Sequence, residues 1–141
     1  TLILRKPIIS AVNFDDGLRT QSMNVEAGTV PGLDEALALV IGEPGSYYVY
    51  EDIDFKGISA VNVTILQHPQ YMNGGILELR MDSVGGAIIQ SLNIEQGLLD
   101  VGPSDLKFNV SEFVGMHDLY MLFKSEETKP ICAVTDIAFL R

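Results

Sequence analysis

Residues 74–92 read GGILELRMDSVGGAIIQSL, and this stretch decides the fold class. Leu77, Leu79 and Met81 alternate in it with charged residues. Successive side chains of a strand point to opposite faces, so one face of this segment is apolar and the other is charged. The pattern predicts a half-buried antiparallel strand. The glycines at 85–86 permit the positive φ angles of a tight reversal, which predicts a hairpin with the segment that follows.

Similar short runs recur along the chain, separated by turn residues, and several are rich in β-branched or aromatic residues. They predict strands at residues 8–14, 47–50, 58–66, 106–110, 119–123 and 131–140. Apolar walls of this kind are buried when two sheets face each other, so the predicted fold is an all-β, two-sheet antiparallel sandwich. Residues 33–41 are rich in alanine and leucine and are also compatible with a short helix, a choice that periodicity alone leaves open.

The length of 141 residues, with 47% hydrophobic content, predicts a single β-sandwich domain over residues 1–141. Because the first residue is Thr1, we expect this domain to be part of a larger polypeptide or to be processed from one. Nineteen acidic residues against nine basic residues give a net charge of −10. Such a charge repels phosphate backbones and anionic lipids, so we expect no nucleic-acid partner and no membrane insertion.

The sequence offers few residues for catalysis or metal binding. Cys132 is the single cysteine, which excludes an internal disulfide and a cysteine zinc cluster, and we expect it to be a small buried apolar residue. His68 and His117 lie far apart and belong to no metal-binding spacing. The nearest hydrolytic pair is Glu78 with Asp82.

Arg80 lies between these two acids in the sequence and is expected to keep both ionised, which disfavours general-acid chemistry. The sequence therefore predicts a protein that is not an enzyme and has no cofactor. Lys124 and Lys129, together with Glu126 and Glu127, are expected to form a solvated turn.

Two motifs carry a resemblance to a known family. Residues 74–92, followed by GMHDLYMLFK at 115–124, resemble the two strand motifs of the family 6 carbohydrate-binding modules. This resemblance implies a β-jelly roll, a carbohydrate-binding function without catalysis, and an extracellular or periplasmic location. It also implies that the domain is an accessory to an attached enzyme or a partner subunit.

The usual sugar site of that family lies at the loop edge of the sandwich, where two aromatic rings stack on the sugar and an asparagine binds its hydroxyls. In this chain the matching loop at 97–102 reads GLLDVG, the position of the other ring falls at residues 39–41, which read LVI, and the asparagine falls near Val134. The resemblance therefore implies a degenerate edge site.

A second site of the same family lies on the concave face of one sheet, and its residues are matched here by Tyr47, Glu78 and Arg80. A tyrosine ring offers an apolar face to sugar C–H groups, and a carboxylate and a guanidinium offer acceptors and donors to hydroxyls. The alternative is a tyrosine that fills the fold beside a charged pair on an exposed sheet. Tyr71, in a loop, is the second choice of binding residue.

A structural calcium is common in the family and is held partly by acids near the N-terminus. The matching stretch here is Ser10, Ala11 and Val12, and Asp136 could supply only one ligand. Hard cations require six or more oxygens, so no metal is expected. Two functions remain open at this stage. The domain either binds a polysaccharide through the concave face, or serves as a structural and protein-interaction domain that has lost sugar binding.

Overall fold

The structure, a computed structural model, describes residues 8–26, 37–66, 72–95 and 104–141. These residues form eleven strands, β1 to β11, with the bounds Ile8–Ser10, Asp16–Leu18, Ser22–Val25, Leu37–Ile41, Tyr47–Asp54, Ala60–Leu66, Gly74–Met81, Ile88–Glu95, Ser104–Asn109, Met116–Lys124 and Ala133–Leu140. A 3₁₀ turn at Ala11–Asn13 follows β1. In this part of the chain no helical segment has the length and apolar character that crossing a lipid bilayer requires.

The strands form two antiparallel sheets, which confirms the predicted all-β sandwich. One sheet has the order β3-β4-β11-β6-β9, with β1 also paired to β11. The other has the order β2-β5-β10-β7-β8. Neighbours in space are mostly not neighbours in sequence, so the chain crosses repeatedly between the two sheets, as in a jelly roll.

The core lies between the sheets and is built from alternating side chains. Leu77, Leu79 and Met81 on β7 are buried, as the alternation predicted, and Leu119 and Met121 on β10 face the same interior. On β5, Tyr48 and Tyr50 also point into the core. Because each strand gives alternate residues to this core, the other half of its side chains faces away from it.

Two buried hydroxyl groups connect the core to the backbone. The Tyr50 hydroxyl donates to the Ala11 carbonyl oxygen at 2.8 Å. The Tyr48 hydroxyl donates to the Ile41 carbonyl oxygen at 2.6 Å and accepts from the Gln21 N–H at 3.0 Å. Burial raises the pKa of Tyr48, so this hydroxyl keeps its proton and remains a donor. Cys132 is buried too, as expected, and burial raises the pKa of its thiol.

Residues 37–41 are a strand, so the helical alternative for residues 33–41 is wrong over Leu37–Ile41. Val40 pairs with Ser22 on one side and with Val134 on the other. Hydrogen bonds to two neighbouring strands override the weak helical preference of alanine and leucine. Residues 33–36 of that segment lie outside the described residues.

The β7–β8 hairpin forms as predicted, but its glycines have another role. Asp82, the first residue after β7, takes the left-handed conformation with φ of 70°. Gly86 does not have a positive φ; a Cβ atom there would collide with the Met81 carbonyl oxygen. The reversal therefore requires glycine for close backbone approach, and an aspartate supplies the positive φ angle.

His117, near the start of β10, joins the end of β7 to the loop before β10. Its Nδ1 lies 2.9 Å from Asp82 Oδ2, and its Nε2 lies 2.7 Å from the Val114 carbonyl oxygen. A carbonyl and a carboxylate both accept, so both ring nitrogens must carry a proton for both bonds to form. The hydrogen bond that His117 donates to the Asp82 carboxylate raises the pKa of His117 against a smaller opposing effect of burial, and the Asp118 charge raises it further.

Gly42, between β4 and β5, lies in a space that admits no side chain. Its N–H donates to the Cys132 carbonyl oxygen at 2.8 Å, and its carbonyl accepts from the Ile131 N–H at 2.8 Å. A Cβ atom at this position would meet the Phe123 ring. The backbone is held on both sides and therefore has little room to shift.

We expect Gly42→Ala to lower the free energy of unfolding by about 1–3 kcal/mol, because overpacking a well-filled interior forces side chains and backbone apart. Gly85→Ala is the matched control, since nothing lies within 4 Å of a Cβ there, and its effect should stay within about 0.5 kcal/mol. Urea unfolding measures both. Equal stabilities of the two variants would contradict the expected steric conflict.

We also expect a pH dependence of stability that involves His117. Because folding raises its pKa above the ordinary value of 6.5, its stabilising contribution is complete below pH 6.5 and is lost as the pH rises through the higher, folded value. The melting temperature should therefore fall more steeply as the pH rises above about 6.5 in the wild type than in His117→Gln. Parallel curves for the two proteins would show that the imidazolium pairing contributes nothing.

Candidate functional site

The candidate site lies on the outer face, which we define as the side of the five-stranded sheet that points away from the core. Strand register places its side chains in two rows. One row runs across the strands as Leu18, Tyr47, Leu122, Glu78 and Ser91, and the next as Asp16, Val49, Tyr120, Arg80 and Ile88. Leu122 pairs with both Tyr47 and Glu78, which places these two residues two strands apart, or roughly 10 Å.

Two tyrosine rings form the apolar part of the outer face. The ring centroids of Tyr47 and Tyr120 lie 5.9 Å apart, and the ring planes are inclined by 31°. Val49 and Leu122 are buried although they face away from the core. In the strand register Tyr120 pairs with Val49, and Tyr47 pairs with Leu122, so each buried residue has a tyrosine as its cross-strand neighbour. The rings therefore form a partly exposed aromatic surface above buried aliphatic side chains.

A buried carboxylate lies beside the tyrosines. Glu78 is only 4% exposed, so the expectation of a charged pair on an exposed sheet is wrong for this residue. Ser91 Oγ donates to its Oε1 at 2.6 Å. Arg80 Nε and Lys124 Nζ bind its Oε2 at 2.7 and 2.9 Å. We call Glu78, Ser91, Arg80 and Lys124 the charged cluster. Lys124 is the last residue of β10, so the expectation that it lies in a solvated turn is also wrong.

These partners fix the charge of Glu78. Burial by itself would raise its pKa, but the hydrogen bonds from Ser91, Lys124 and Arg80 outweigh burial and lower the pKa to about 2. Asp82, the other member of the hydrolytic pair considered above, binds His117, whereas Arg80 pairs with Glu78. A carboxyl group with this pKa is ionised at neutral pH and cannot act as a general acid.

Acidic residues lie near Tyr120, on the side of the aromatic surface away from Glu78. Burial raises the pKa of Tyr120, and the charges of Asp118, Asp16 and Glu51 raise it further. The outer face is therefore divided by charge, with cations near Glu78 and anions near the start of β10. The Tyr120 hydroxyl between them keeps its proton, and a tyrosine hydroxyl can both donate and accept hydrogen bonds.

The structure brings together Tyr47, Glu78 and Arg80, three of the four binding residues predicted from the sequence. Tyr71, the fourth, lies outside the described residues. The sequence-based prediction of the site missed Tyr120, which lies beside Tyr47, and Lys124 and Ser91, which bind Glu78. The alternation of LYMLFK already places Tyr120 and Lys124 on the face opposite Leu119 and Phe123, but their alignment with β5 and β7 depends on strand register.

The positions of the degenerate edge site are described in part. Val134 on β11 and Leu39 and Ile41 on β4 are buried. Their side chains are apolar and unavailable to a ligand from solvent. The loop at residues 97–102 lies outside the described residues.

The described residues do not fit the structural calcium that is common in the family that the sequence resembles. Ser10 and Ala11 replace the expected acids, and Asp136 pairs with Ser10 across β1 and β11. Within the described ranges no three histidine, cysteine or acidic side chains are grouped so that they could hold a metal ion.

Comparison with known proteins connects this geometry to a family. The chain matches the family model described as carbohydrate binding module (family 6) over residues 11–141. It is similar in structure to a β-1,3-glucan binding family 6 module from Bacillus halodurans, with 19% identity, a TM-score of 0.75 and a match that covers 95% of each chain. A family 6 module from Clostridium cellulolyticum in complex with xylose has 22% identity and a TM-score of 0.71, with 95% of this chain and 96% of that chain covered.

An enzyme contains the same fold as one part of its chain. A glycoside hydrolase family 43 arabinoxylan arabinofuranohydrolase from Bacillus subtilis, in complex with cellotetraose, has 19% identity and a TM-score of 0.75. The match covers 95% of this chain but 27% of that one, so the chain spans about a quarter of the enzyme's length. A search of curated protein sequences found no match.

At these identities the structural likeness shows a common fold, whereas the family model spans nearly the whole sequence. The chain therefore belongs to family 6 of the carbohydrate-binding modules.

Proposed function

We propose that this domain binds a polysaccharide through the outer face, with Tyr47 and Tyr120 as the sugar platform and Arg80 and Lys124 as polar contacts. The observation that carries the proposal is the pair of tyrosine rings, 5.9 Å apart, beside a fixed charged cluster on the same face. Aromatic faces attract the partly positive C–H groups of a sugar, and cationic N–H groups donate to its oxygens. The solved relatives described as binding β-1,3-glucan or in complex with xylose support a glycan ligand.

The same proposal assigns the domain an accessory role without catalysis. The ionised state of Glu78, whose pKa is lowered to about 2, supports this role because glycoside cleavage requires a protonated acid. The arabinofuranohydrolase relative, in which the matching region is about a quarter of the chain, supports attachment to an enzyme. Modules of this family are typical of secreted proteins, which supports an extracellular location.

A second candidate is a protein-interaction domain that has lost sugar binding. The buried apolar residues Leu39, Ile41 and Val134, at positions that correspond to the edge sugar site, favour it. Val114 and Met116 favour it as well, because they are 70% and 57% exposed within three residues of each other. Exposed apolar residues that lie together are typical of surfaces that contact another protein.

Affinity electrophoresis in native gels that contain laminarin, xylan or hydroxyethylcellulose distinguishes the two candidates. We expect at least one of these polysaccharides to retard the wild type. Tyr47→Ala and Tyr120→Ala should each weaken retention by about tenfold, or about 1.4 kcal/mol, because a ring contact and its buried area are lost.

Tyr47→Phe is the matched control, since it keeps the ring and removes only the hydroxyl, and it should retain most of the binding. Val114→Ala should leave retention unchanged, because Val114 precedes β10 and Lys124 ends this strand. If none of the three polysaccharides retards the wild type, the binding proposal is wrong and the interaction candidate is left. In that case Val114→Ala should weaken self-association or partner capture.

A further inference from the structure

The protein itself occupies most of the acceptor positions of the Glu78 carboxylate. A carboxylate offers about four acceptor positions. One is used by Ser91 on Oε1, and two are used by Arg80 and Lys124 on Oε2. The side chain is 5% exposed, so the remaining position is not accessible to a ligand that approaches from solvent.

The two cations, in contrast, keep donors directed away from Glu78. Arg80 uses Nε for Glu78 and Nη1 for the Gly86 carbonyl oxygen at 3.3 Å, out of five N–H donors on its guanidinium. Lys124 is 46% exposed and carries three N–H donors, one of which points at Glu78. The charged cluster can therefore offer hydrogen bonds to a ligand but has little capacity to accept them.

We propose that Glu78 is a positioning residue, which fixes Arg80 and Lys124, and that this cluster recognises glycan oxygens only as hydrogen-bond acceptors. This inference rests on the proposed function and changes the role expected for Glu78, from a direct acceptor to a support for two donors. It also specifies the ligand chemistry. At this point of the face the glycan presents oxygens that need no proton, such as ring, glycosidic or etherified oxygens.

A double-mutant cycle tests the role of Glu78 with laminarin, xylan and hydroxyethylcellulose as probes. In the wild-type background, Glu78→Gln should weaken retention by about tenfold, because a neutral amide holds the two cations less well than a carboxylate does. In the Arg80→Met/Lys124→Met background, Glu78→Gln should cause no further loss, since the residues through which it acts are gone. The same tenfold loss in both backgrounds would show that Glu78 contacts the sugar itself and would overturn the inference.

Thermal unfolding of each variant provides the folding control. Arg80→Met/Lys124→Met leaves a buried carboxylate with Ser91 as its donor, and adding Glu78→Gln removes that charge, so the melting temperature should rise or stay constant. If the double variant does not fold, the O-methylated forms of the three polysaccharides test the same point on the wild type and Glu78→Gln alone. Methylation removes the O–H donor and keeps the oxygen as an acceptor.

The ratio of retention by native and by O-methylated polysaccharide should then be the same for the wild type and for Glu78→Gln. A direct acceptor would give a different result, because the wild type would discriminate against the methylated form by about tenfold more than the variant does. If retention depends on Tyr47 but the ratios of the wild type and Glu78→Gln differ, only the positioning role is contradicted and the proposed function stands. Absence of retention by every native probe contradicts the proposed function, and the positioning role with it.

Discussion

The arrangement of the outer face depends on the alternation of side chains along β10. This strand lies between β5 and β7 in the middle of its sheet and is hydrogen-bonded on both sides. Leu119, Met121 and Phe123 are held in the core, so Tyr120, Leu122 and Lys124 must face the other way. A shift of one residue in this register would move the buried set to the surface and remove the candidate site in the same step.

Burial of Glu78 adds an electrostatic constraint to this geometric one. A carboxylate removed from water is unfavourable unless donors surround it, and here the donors come from three strands. Ser91 is on β8, Arg80 is on β7 with Glu78, and Lys124 ends β10. The cluster thus connects three adjacent strands on the face opposite the core, and its charge balance is coupled to their alignment. The acids around Tyr120 lie on the far side of the aromatic surface.

The sequence predicted the features that depend on local pattern. The apolar face of β7 and the class of fold follow from a period of two residues, the hairpin after β7 was predicted from the glycines at 85–86, and the structure confirms all three. The features that were missed depend on contacts between distant segments. The strand at Leu37–Ile41 could not be distinguished from a helix because its two partner strands decide its conformation. The burial of Glu78 and the part played by Lys124 follow from the pairing of β7 with β8 and β10, which residue order does not specify.

The tethering of Arg80 and Lys124 to one carboxylate has a consequence for conformational entropy. Long cationic side chains each carry roughly 2 kcal/mol of rotamer freedom, which a ligand must normally suppress when it orders them. Here much of that freedom is already lost when the sheet forms, because Glu78 restricts both side chains before any ligand arrives. A glycan that docks on this surface meets donors whose directions are set in advance, so less of its binding free energy is spent on ordering the protein.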